Sequence, residues 1–194
     1  GQFIADSNLD PAEALGRAQL ANALLFTLRG SPILYYGDEK GFTGTGGDQL
    51  ARQDFFPTLL PEWQSERRIG SDPIGTKSSF DVANPLEKTV SALNKLMQSE
   101  PALKAGAQQI RYAREGVFAY SRYAKNQEFL IVANGVNDVT QVRVPVSTLD
   151  SEWEVMLGTG TAKGDGAFVD VSLPDLGWVI LKANKKYQPK IAPS

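Results

Sequence analysis

The sequence predicts an α+β protein in which two helices, one strand of the parallel type and a long loop precede an antiparallel β-sandwich. Three observations predict this order. Two helix-start signals lie in the first half of the 194-residue chain, and a short, wholly apolar segment, Ile33–Tyr36, follows the first helix. Beyond Pro101 the hydrophobic period changes from helical to two. We predict two domains, residues 1–103 and residues 104–194.

The first helix is predicted to begin at Asp10, which can cap free backbone N–H groups. Pro11 suits the first helical position, and Glu13 stands where a capping-box acid belongs. Apolar residues then recur at three- and four-residue spacing and predict one buried face: Leu15, Ala18, Ala21, Leu25 and Leu28. Gly30 and Pro32 end the helix.

The segment Ile33–Tyr36 is too short and too apolar for a surface strand, and it is typical of a strand buried on both faces of a parallel sheet. It leads directly into a glycine-rich, acidic loop. The last strand of a (β/α)8 barrel reaches the rim that carries the active site in this way, and a complete barrel takes about 250 residues. The sequence therefore predicts the remnant of such a barrel. The loop from Gly37 to Ala83 contains enough aromatic and leucine side chains to be ordered.

The second helix is predicted to begin at Asn84 and Pro85 and to end before Pro101. Short segments with period-two hydrophobicity follow, and turns are expected at Asn134-Gly135 and over Gly158–Gly166. Such spacing predicts an antiparallel sandwich. The seven predicted strands are Gln109–Ala113, Val117–Tyr123, Glu128–Ala133, Thr140–Val146, Trp153–Leu157, Phe168–Leu173 and Trp178–Lys182.

Composition and charge exclude several classes of function. A net charge of −2, with Lys and Arg scattered, argues against a nucleic-acid or anionic-membrane surface, and no apolar run approaches the roughly 20 residues of a membrane span. The chain has no Cys and no His, which excludes Ser-His-Asp and Cys-His chemistry and zinc-thiolate sites. We expect no metal site and no cofactor. Localisation stays open, with a secreted or periplasmic protein among the options.

The order of these elements resembles the C-terminal part of the α-amylase family of glycoside hydrolases. The specific part is Thr27–Pro32 (Thr-Leu-Arg-Gly-Ser-Pro) running into Tyr35–Glu39 (Tyr-Tyr-Gly-Asp-Glu), and the strand Trp178–Lys182 resembles the end of the family's C-terminal domain. The resemblance implies retaining hydrolysis of α-glucosidic bonds in starch-like glucans. Such enzymes use a nucleophile and an acid about 5 Å apart, together with a third carboxylate that binds the distorted sugar.

The same resemblance implies that this chain lacks the catalytic carboxylates. In the family the third carboxylate belongs to an Asn-His-Asp motif that precedes the helix starting here at Asp10. Gly1–Ile4 resembles the sequence that follows that motif, and the motif itself is absent. We therefore expect all three carboxylates upstream of Gly1. The chain has no predicted catalytic residue and is predicted to be inactive alone, with glucan binding left to the parent enzyme.

Asp48 and Arg52 are the predicted substrate-binding residues. In many family members the loop after this strand carries an Asp and an Arg before an apolar aromatic segment, and residues 48–56 resemble that arrangement. The usual Pro-Met-x-Trp continuation is absent. The alternative interpretation is a solvated charge or a structural ion pair.

The strand-end motif is predicted to be structural rather than catalytic. Adjacent strand-end residues point to opposite sides, so two neighbouring carboxylates cannot serve one scissile bond, and the two tyrosines continue the apolar run of the strand. The motif comprises Tyr35, Tyr36, Gly37, Asp38 and Glu39.

The alternative function is a stand-alone carbohydrate-binding or structural β-sandwich module, which as a binding module would expose Trp153 or Trp178. Burial in the sandwich is the simpler interpretation of both tryptophans. For Trp63 two interpretations stay open, stacking on a sugar ring and burial under the loop. A protein-interaction module has little support. Because the strand Ile33–Tyr36 and the apolar face of the first helix lack barrel neighbours, we also predict self-association of the barrel segment, rearrangement of roughly its first 40 residues, or disorder there.

Overall fold

The computed structural model describes residues 9–44 and 47–187, so the predicted resemblance at Gly1–Ile4 lies outside the described residues. The chain divides into two compact units. The N-terminal unit falls within residues 1–22 and 32–92, and the sandwich unit within 23–31 and 93–194. The predicted domain boundary between residues 103 and 104 stays a prediction. None of the helices in the described ranges is long and apolar enough to cross a membrane.

Within residues 9–44 and 47–187, four α-helices precede the strands: α1 (Pro11–Thr27), α2 (Pro61–Ser65), α3 (Pro85–Ser99) and α4 (Pro101–Ala105). Both predicted helix starts are confirmed. The Asp10 carboxylate accepts a hydrogen bond of 2.8 Å from the Ala12 amide, and the Asn84 side chain accepts one of 2.9 Å from the Leu86 amide. The predicted apolar face of α1 is partly wrong, because Ala21 and Leu25 are exposed.

The N-terminal unit has a small core in which Leu15 and Ala18 of α1 pack with Ile69 and Leu86. Asn84 is buried beside this core, and its amide donates to the carbonyls of Ile69 at 2.8 Å and of Lys40 at 3.1 Å. One buried side chain therefore caps α3 and holds the loop that follows α1.

The predicted buried strand Ile33–Tyr36 is absent: within the described residues this segment belongs to neither sheet. Ile33 is 85% exposed and Tyr35 is 57% exposed. A strand of a parallel sheet is stable only when neighbours occupy both edges and helices cover both faces. The apolar sequence predicts burial only where neighbouring strands exist. The described residues supply no such neighbour, so the segment forms no strand.

The antiparallel sandwich of the predicted α+β fold is confirmed. A five-stranded sheet has the order β1-β2-β3-β8-β5 and faces a three-stranded sheet of order β4-β7-β6. All pairings are antiparallel. The strands are β1 (Ala107–Arg114), β2 (Val117–Ala124), β3 (Gln127–Asn134), β4 (Thr140–Pro145), β5 (Trp153–Gly158), β6 (Thr161–Asp165), β7 (Phe168–Leu173) and β8 (Trp178–Ala183).

Of the eight strands in the described part of the chain, seven were predicted and β6 was missed. Glycines at 158, 160, 164 and 166 made this stretch resemble a turn, but only Gly158 and Gly166 have positive φ, 114° and 59°. Gly164 lies within β6, where a Cβ would overlap the Ser151 carbonyl. This glycine therefore marks a close backbone approach rather than a turn.

The three central strands of the five-stranded sheet, β2, β3 and β8, are buried on both faces. One face forms the inter-sheet core with residues such as Val132, Val144 and Leu181. On the other face, Tyr120, Ile131 and Ile180 lie side by side across three strands and are 0% exposed. Helix α4 packs against β2 and β3 on that sheet.

The C-terminal end of α1 is bound to the same sheet by polar contacts. The Tyr120 hydroxyl lies 2.6 Å from Thr27 Oγ1, and the buried Arg122 guanidinium donates to the carbonyls of Thr27 and, at 3.2 Å, Gly106. The Arg122 cation at the last turn of α1 thus satisfies the Thr27 carbonyl, which has no intrahelical partner. Burial raises the pKa of Tyr120 to about 12, with the Thr27 hydrogen bond and the Arg122 charge opposing that rise.

Candidate functional site

The strand-end motif folds into a tight turn rather than a catalytic pair. Gly37 has φ 91°, and a Cβ at this position would overlap the Phe42 ring. A single 3₁₀ turn, Asp38–Lys40, follows. The Glu39 carboxylate accepts a hydrogen bond of 3.0 Å from the Gly37 amide, and the buried Lys40 ammonium contacts Glu87 at 2.7 Å. Gly37 and the 3₁₀ turn thereby change the direction of the chain directly after Tyr35 and Tyr36.

Five aromatic side chains form a connected surface in the N-terminal unit, which we call the aromatic surface. Ring centroids are 4.8 Å apart for Tyr35 and Tyr36, 6.2 Å for Tyr36 and Phe55, 5.0 Å for Phe55 and Phe80, and 5.9 Å for Phe80 and Phe56. Phe56 is 67% and Phe80 is 62% exposed. Large apolar patches on a soluble protein mark binding or association surfaces.

Charged groups border the aromatic surface. The Arg52 guanidinium contacts the Asp48 carboxylate at 2.6 Å, and both side chains are exposed. The Asp54 carboxylate accepts a hydrogen bond of 2.9 Å from the Phe56 amide. The pKa of Tyr36 is raised, first by loss of hydration and then by Tyr35; the Arg52 charge opposes this rise.

A buried polar network supports the loop that carries these groups. Gln53 is 1% exposed, and its amide donates to the buried Glu66 carboxylate. Arg68 donates to Ser79 Oγ at 3.0 Å and to Gln53 Oε1 at 3.4 Å, and its guanidinium lies 4.4 Å from the centroid of the Phe42 ring. Burial lowers the pKa of Arg68, and the Glu66 charge opposes that shift. The network thus fixes Gln53, and with it the backbone next to Arg52 and Phe55, from the buried side of the loop.

Trp63 belongs to this support. The indole is half-buried, and its N–H donates to the Leu50 carbonyl at 3.1 Å. Trp153 lies in the inter-sheet core and is 8% exposed, and Trp178 is equally buried on the other face of the five-stranded sheet. The sequence-based interpretation of these two tryptophans as sandwich residues is confirmed.

The arrangement is suited to binding rather than to bond cleavage. Aromatic rings can stack on apolar faces of a ligand, and Arg52 and Asp48 can donate to and accept from its hydroxyl groups. Among residues 9–44 and 47–187, no group of three or more His, Cys, Asp or Glu side chains could hold a metal ion. The structure brings Tyr35 and Tyr36 together and pairs Arg52 with Asp48.

Sequence reasoning did not single out Phe80 or Asp54 as part of this surface. Phe80 is 25 residues from Phe55 in sequence, yet their rings are 5.0 Å apart. The Ser78 side chain accepts a hydrogen bond from the Phe80 amide, which is an available local signal for a turn at this point. It does not reveal that the turn carries an exposed ring.

Curated relatives match most of this chain, whereas no family model matches it. The chain is 35% identical over 178 residues to an alpha-amylase of Streptomyces lividans and 27% identical over 173 residues to a cyclomaltodextrin glucanotransferase of Paenibacillus macerans. These matches take in 89% and 87% of this chain. The chain spans 19% of the length of each of these relatives.

Solved structures of an alpha-amylase and a debranching enzyme have a similar fold. An alpha-amylase from Geobacillus thermoleovorans complexed with acarbose superposes with a TM-score of 0.69 at 21% identity, over 95% of this chain and 37% of that one. A debranching enzyme from Nostoc punctiforme gives a TM-score of 0.63 at 24% identity, over 88% and 31% of the two chains. At these identities the likeness establishes the fold.

Proposed function

Because this chain matches, in sequence and in fold, the C-terminal part of the α-amylase family of glycoside hydrolases, we propose that it is part of a retaining glycosidase acting on α-glucosidic bonds of starch-like glucans. The observation that carries the proposal is the 35% identity across 89% of this chain. A matching fold over 95% of the chain supports it independently.

The catalytic carboxylates of this enzyme are proposed to lie in residues that precede the chain. The chain contains no His, so it cannot contain an Asn-His-Asp motif. Carboxylates around the candidate site already have partners: Glu39 accepts from Gly37, Asp54 from Phe56, and Asp48 pairs with Arg52. A retaining mechanism needs two carboxyl groups about 5–5.5 Å apart across the scissile bond. The geometry supports a binding role for these residues.

Asp48 and Arg52 are proposed to bind glucan hydroxyls, and Tyr35 and Tyr36 to present ring faces to the sugars. The Asp48–Arg52 ion pair fixes both side chains before a ligand arrives, which reduces the entropy lost on binding. Its exposure leaves the remaining guanidinium donors and carboxylate lone pairs accessible to hydroxyl groups.

The catalytic part of this proposal is tested by reading the coding DNA upstream of Gly1 and assaying both lengths of the protein. We expect an in-frame extension that contains Asn-His-Asp and several strand–helix units. The extended protein should release reducing sugar from soluble starch, and the present chain should release none. Metal-independent starch hydrolysis by the purified chain would refute the placement of the carboxylates.

The binding part is tested by Arg52→Ala in the extended enzyme, with Arg67→Ala as the matched control. Arg67 is an exposed arginine of the same unit whose guanidinium donates to the Leu9 carbonyl. Loss of a charge-assisted hydrogen bond made equally in ground and transition states raises KM for maltoheptaose by about tenfold at unchanged kcat. Equal KM values for the two variants would refute a role for Arg52 in binding.

The isolated chain is proposed to self-associate through the aromatic surface. Ile33, Leu59 and Phe56 are 85%, 92% and 67% exposed in the same unit. Apolar area of this kind is stabilised by about 25 cal/mol for each Å² removed from water. A second copy of the chain can supply the covering surface.

A further inference from the structure

The solvent face of the three-stranded sheet, in the sandwich unit, contains a groove that has no assigned role. Its volume is about 510 Å³, within the range of about 300–1,000 Å³ for small-molecule sites. It crosses β4, β7 and β6, and we call it the small-sheet groove. The polar side chains that line it are Gln141, Arg143, Thr161, Lys163, Asp170 and Ser172.

One row of the small-sheet groove is a fixed cluster of charges. The Arg143 guanidinium contacts Asp170 at 2.9 and 3.1 Å and Asp165 at 2.6 Å. It also lies 4.8 Å from the centroid of the Phe168 ring. Two carboxylates and a ring therefore hold the arginine in one position without a ligand, and preorganised donors bind at a smaller entropy cost.

The other row is uncharged and has free hydrogen-bonding capacity. Gln141 and Thr161 each stand opposite Ser172 in the register of the sheet, so the row spans two strand spacings, about 10 Å. None of these three side chains makes a hydrogen bond to any residue in the described part of the chain. Amide and hydroxyl groups both donate and accept, and each can therefore pair with a ligand hydroxyl in either direction.

The charges of the small-sheet groove favour a neutral ligand. Arg143 and Lys163 are balanced by Asp170 in the groove and by Asp165, which pairs with Arg143 at its border, so no net charge is left to attract an anion or a cation. Closely spaced donors and acceptors without net charge complement a polyhydroxyl compound. A nucleic acid or a phosphate would instead require an excess of basic residues.

We propose that the small-sheet groove is a second binding site for α-glucan, distinct from the site proposed above at Asp48 and Arg52. The neutral, hydroxyl-rich ligand class follows from the groove itself, and the choice of α-glucan rests on the function proposed above. The site contains no catalytic group. It holds a glucan chain by hydrogen bonds from Gln141, Thr161 and Lys163.

The test measures retardation of the full chain by soluble starch in native gels. The double variant Gln141→Ala/Lys163→Ala removes one neutral and one charged hydrogen-bonding side chain and leaves the Arg143 cluster intact. Loss of two such hydrogen bonds should raise Kd by about tenfold. Thr159→Ala/Lys104→Ala is the matched control, since both residues are exposed and lie outside the groove. The control should retain the Kd of the unmodified chain.

A second arm separates this site from the proposed function. Arg52→Ala should change starch retardation by less than the groove variant does. If only Arg52→Ala weakens retardation, the groove proposal is overturned while the proposed function stands. Retardation by dextran sulfate in place of starch, or no retardation of the unmodified chain by starch, also overturns it. The proposed function fails separately, when the extended protein does not hydrolyse starch.

Discussion

Removing one hydroxyl at Tyr120 should change how the stability of the protein depends on pH. Tyr120 is 0% exposed, and its hydroxyl contacts Thr27 Oγ1 at 2.6 Å. Burial raises its pKa to about 12 from the ordinary value of 10.0. In Tyr120→Phe the ring is retained, and Thr27 keeps its second hydrogen bond, to the Ala23 carbonyl.

The magnitude follows from the difference between the pKa values of the folded and unfolded states. Below about pH 10 Tyr120 is protonated in both states, so its contribution to stability does not depend on pH. Above about pH 10 only the unfolded chain releases this proton, and the free energy of unfolding falls by about 1.4 kcal/mol per pH unit until about pH 12. Near neutral pH the lost hydrogen bond should make Tyr120→Phe about 1 kcal/mol less stable than the unmodified chain.

The two proteins should therefore exchange rank as the pH rises. With these values the stabilities become equal near about pH 10.7, and the difference between them changes by about 1.4 kcal/mol between about pH 8 and about pH 11. Urea unfolding followed by tryptophan fluorescence gives both free energies, and the difference cancels the titration of groups common to both. A difference that stays constant over this range would refute the burial argument for Tyr120.

Two further changes test the buried ion pair of the sandwich and the exposed apolar surface. Glu128→Ala leaves the Arg111 guanidinium, 9% exposed, without its carboxylate, and should lower the free energy of unfolding by about 3–5 kcal/mol. The exposed Glu154→Ala is its control in urea unfolding, and equal midpoints would contradict a stabilising role for the pair. Phe56→Ser, at the most exposed ring of the aromatic surface, should weaken self-association at least about fivefold by sedimentation velocity. Leu149→Ser, on an exposed residue of the sandwich unit, should leave self-association unchanged, and equal effects would exclude the aromatic surface.

The elements predicted correctly from the sequence are those whose signals are local. Asp10 and Asn84 cap helices through bonds to amides two residues away, so the sequence alone locates both starts. The period-two hydrophobic pattern gave the correct bounds, to the residue, for strands such as β7 (Phe168–Leu173). The missed strand β6 carries Gly164, and a side chain there would overlap the Ser151 carbonyl. Because Ser151 is remote in sequence, no local pattern reveals this requirement.

The candidate site was less predictable because its parts meet only in three dimensions. The acid–arginine pair at residues 48 and 52 was visible as a spacing, and the side chains do pair at 2.6 Å. The exposure of Tyr35 was not visible, because an apolar run predicts burial wherever a neighbouring strand exists. Charge balance in the small-sheet groove likewise depends on which of Arg143, Asp165 and Asp170 the sheet register brings together.

The covered second face of the five-stranded sheet limits how this protein can be recombined. Tyr120 and Arg122 of β2 reach back to Thr27, about ninety residues earlier in the chain. A cassette beginning at residue 104 would carry the strands but omit Thr27. The Arg122 guanidinium, which is buried here, would then lose its carbonyl partner on an uncovered sheet face. Grafting the sandwich onto another enzyme therefore requires transplanting the end of α1 as well, and a circular permutant that joins these two stretches is the natural form in which to move it.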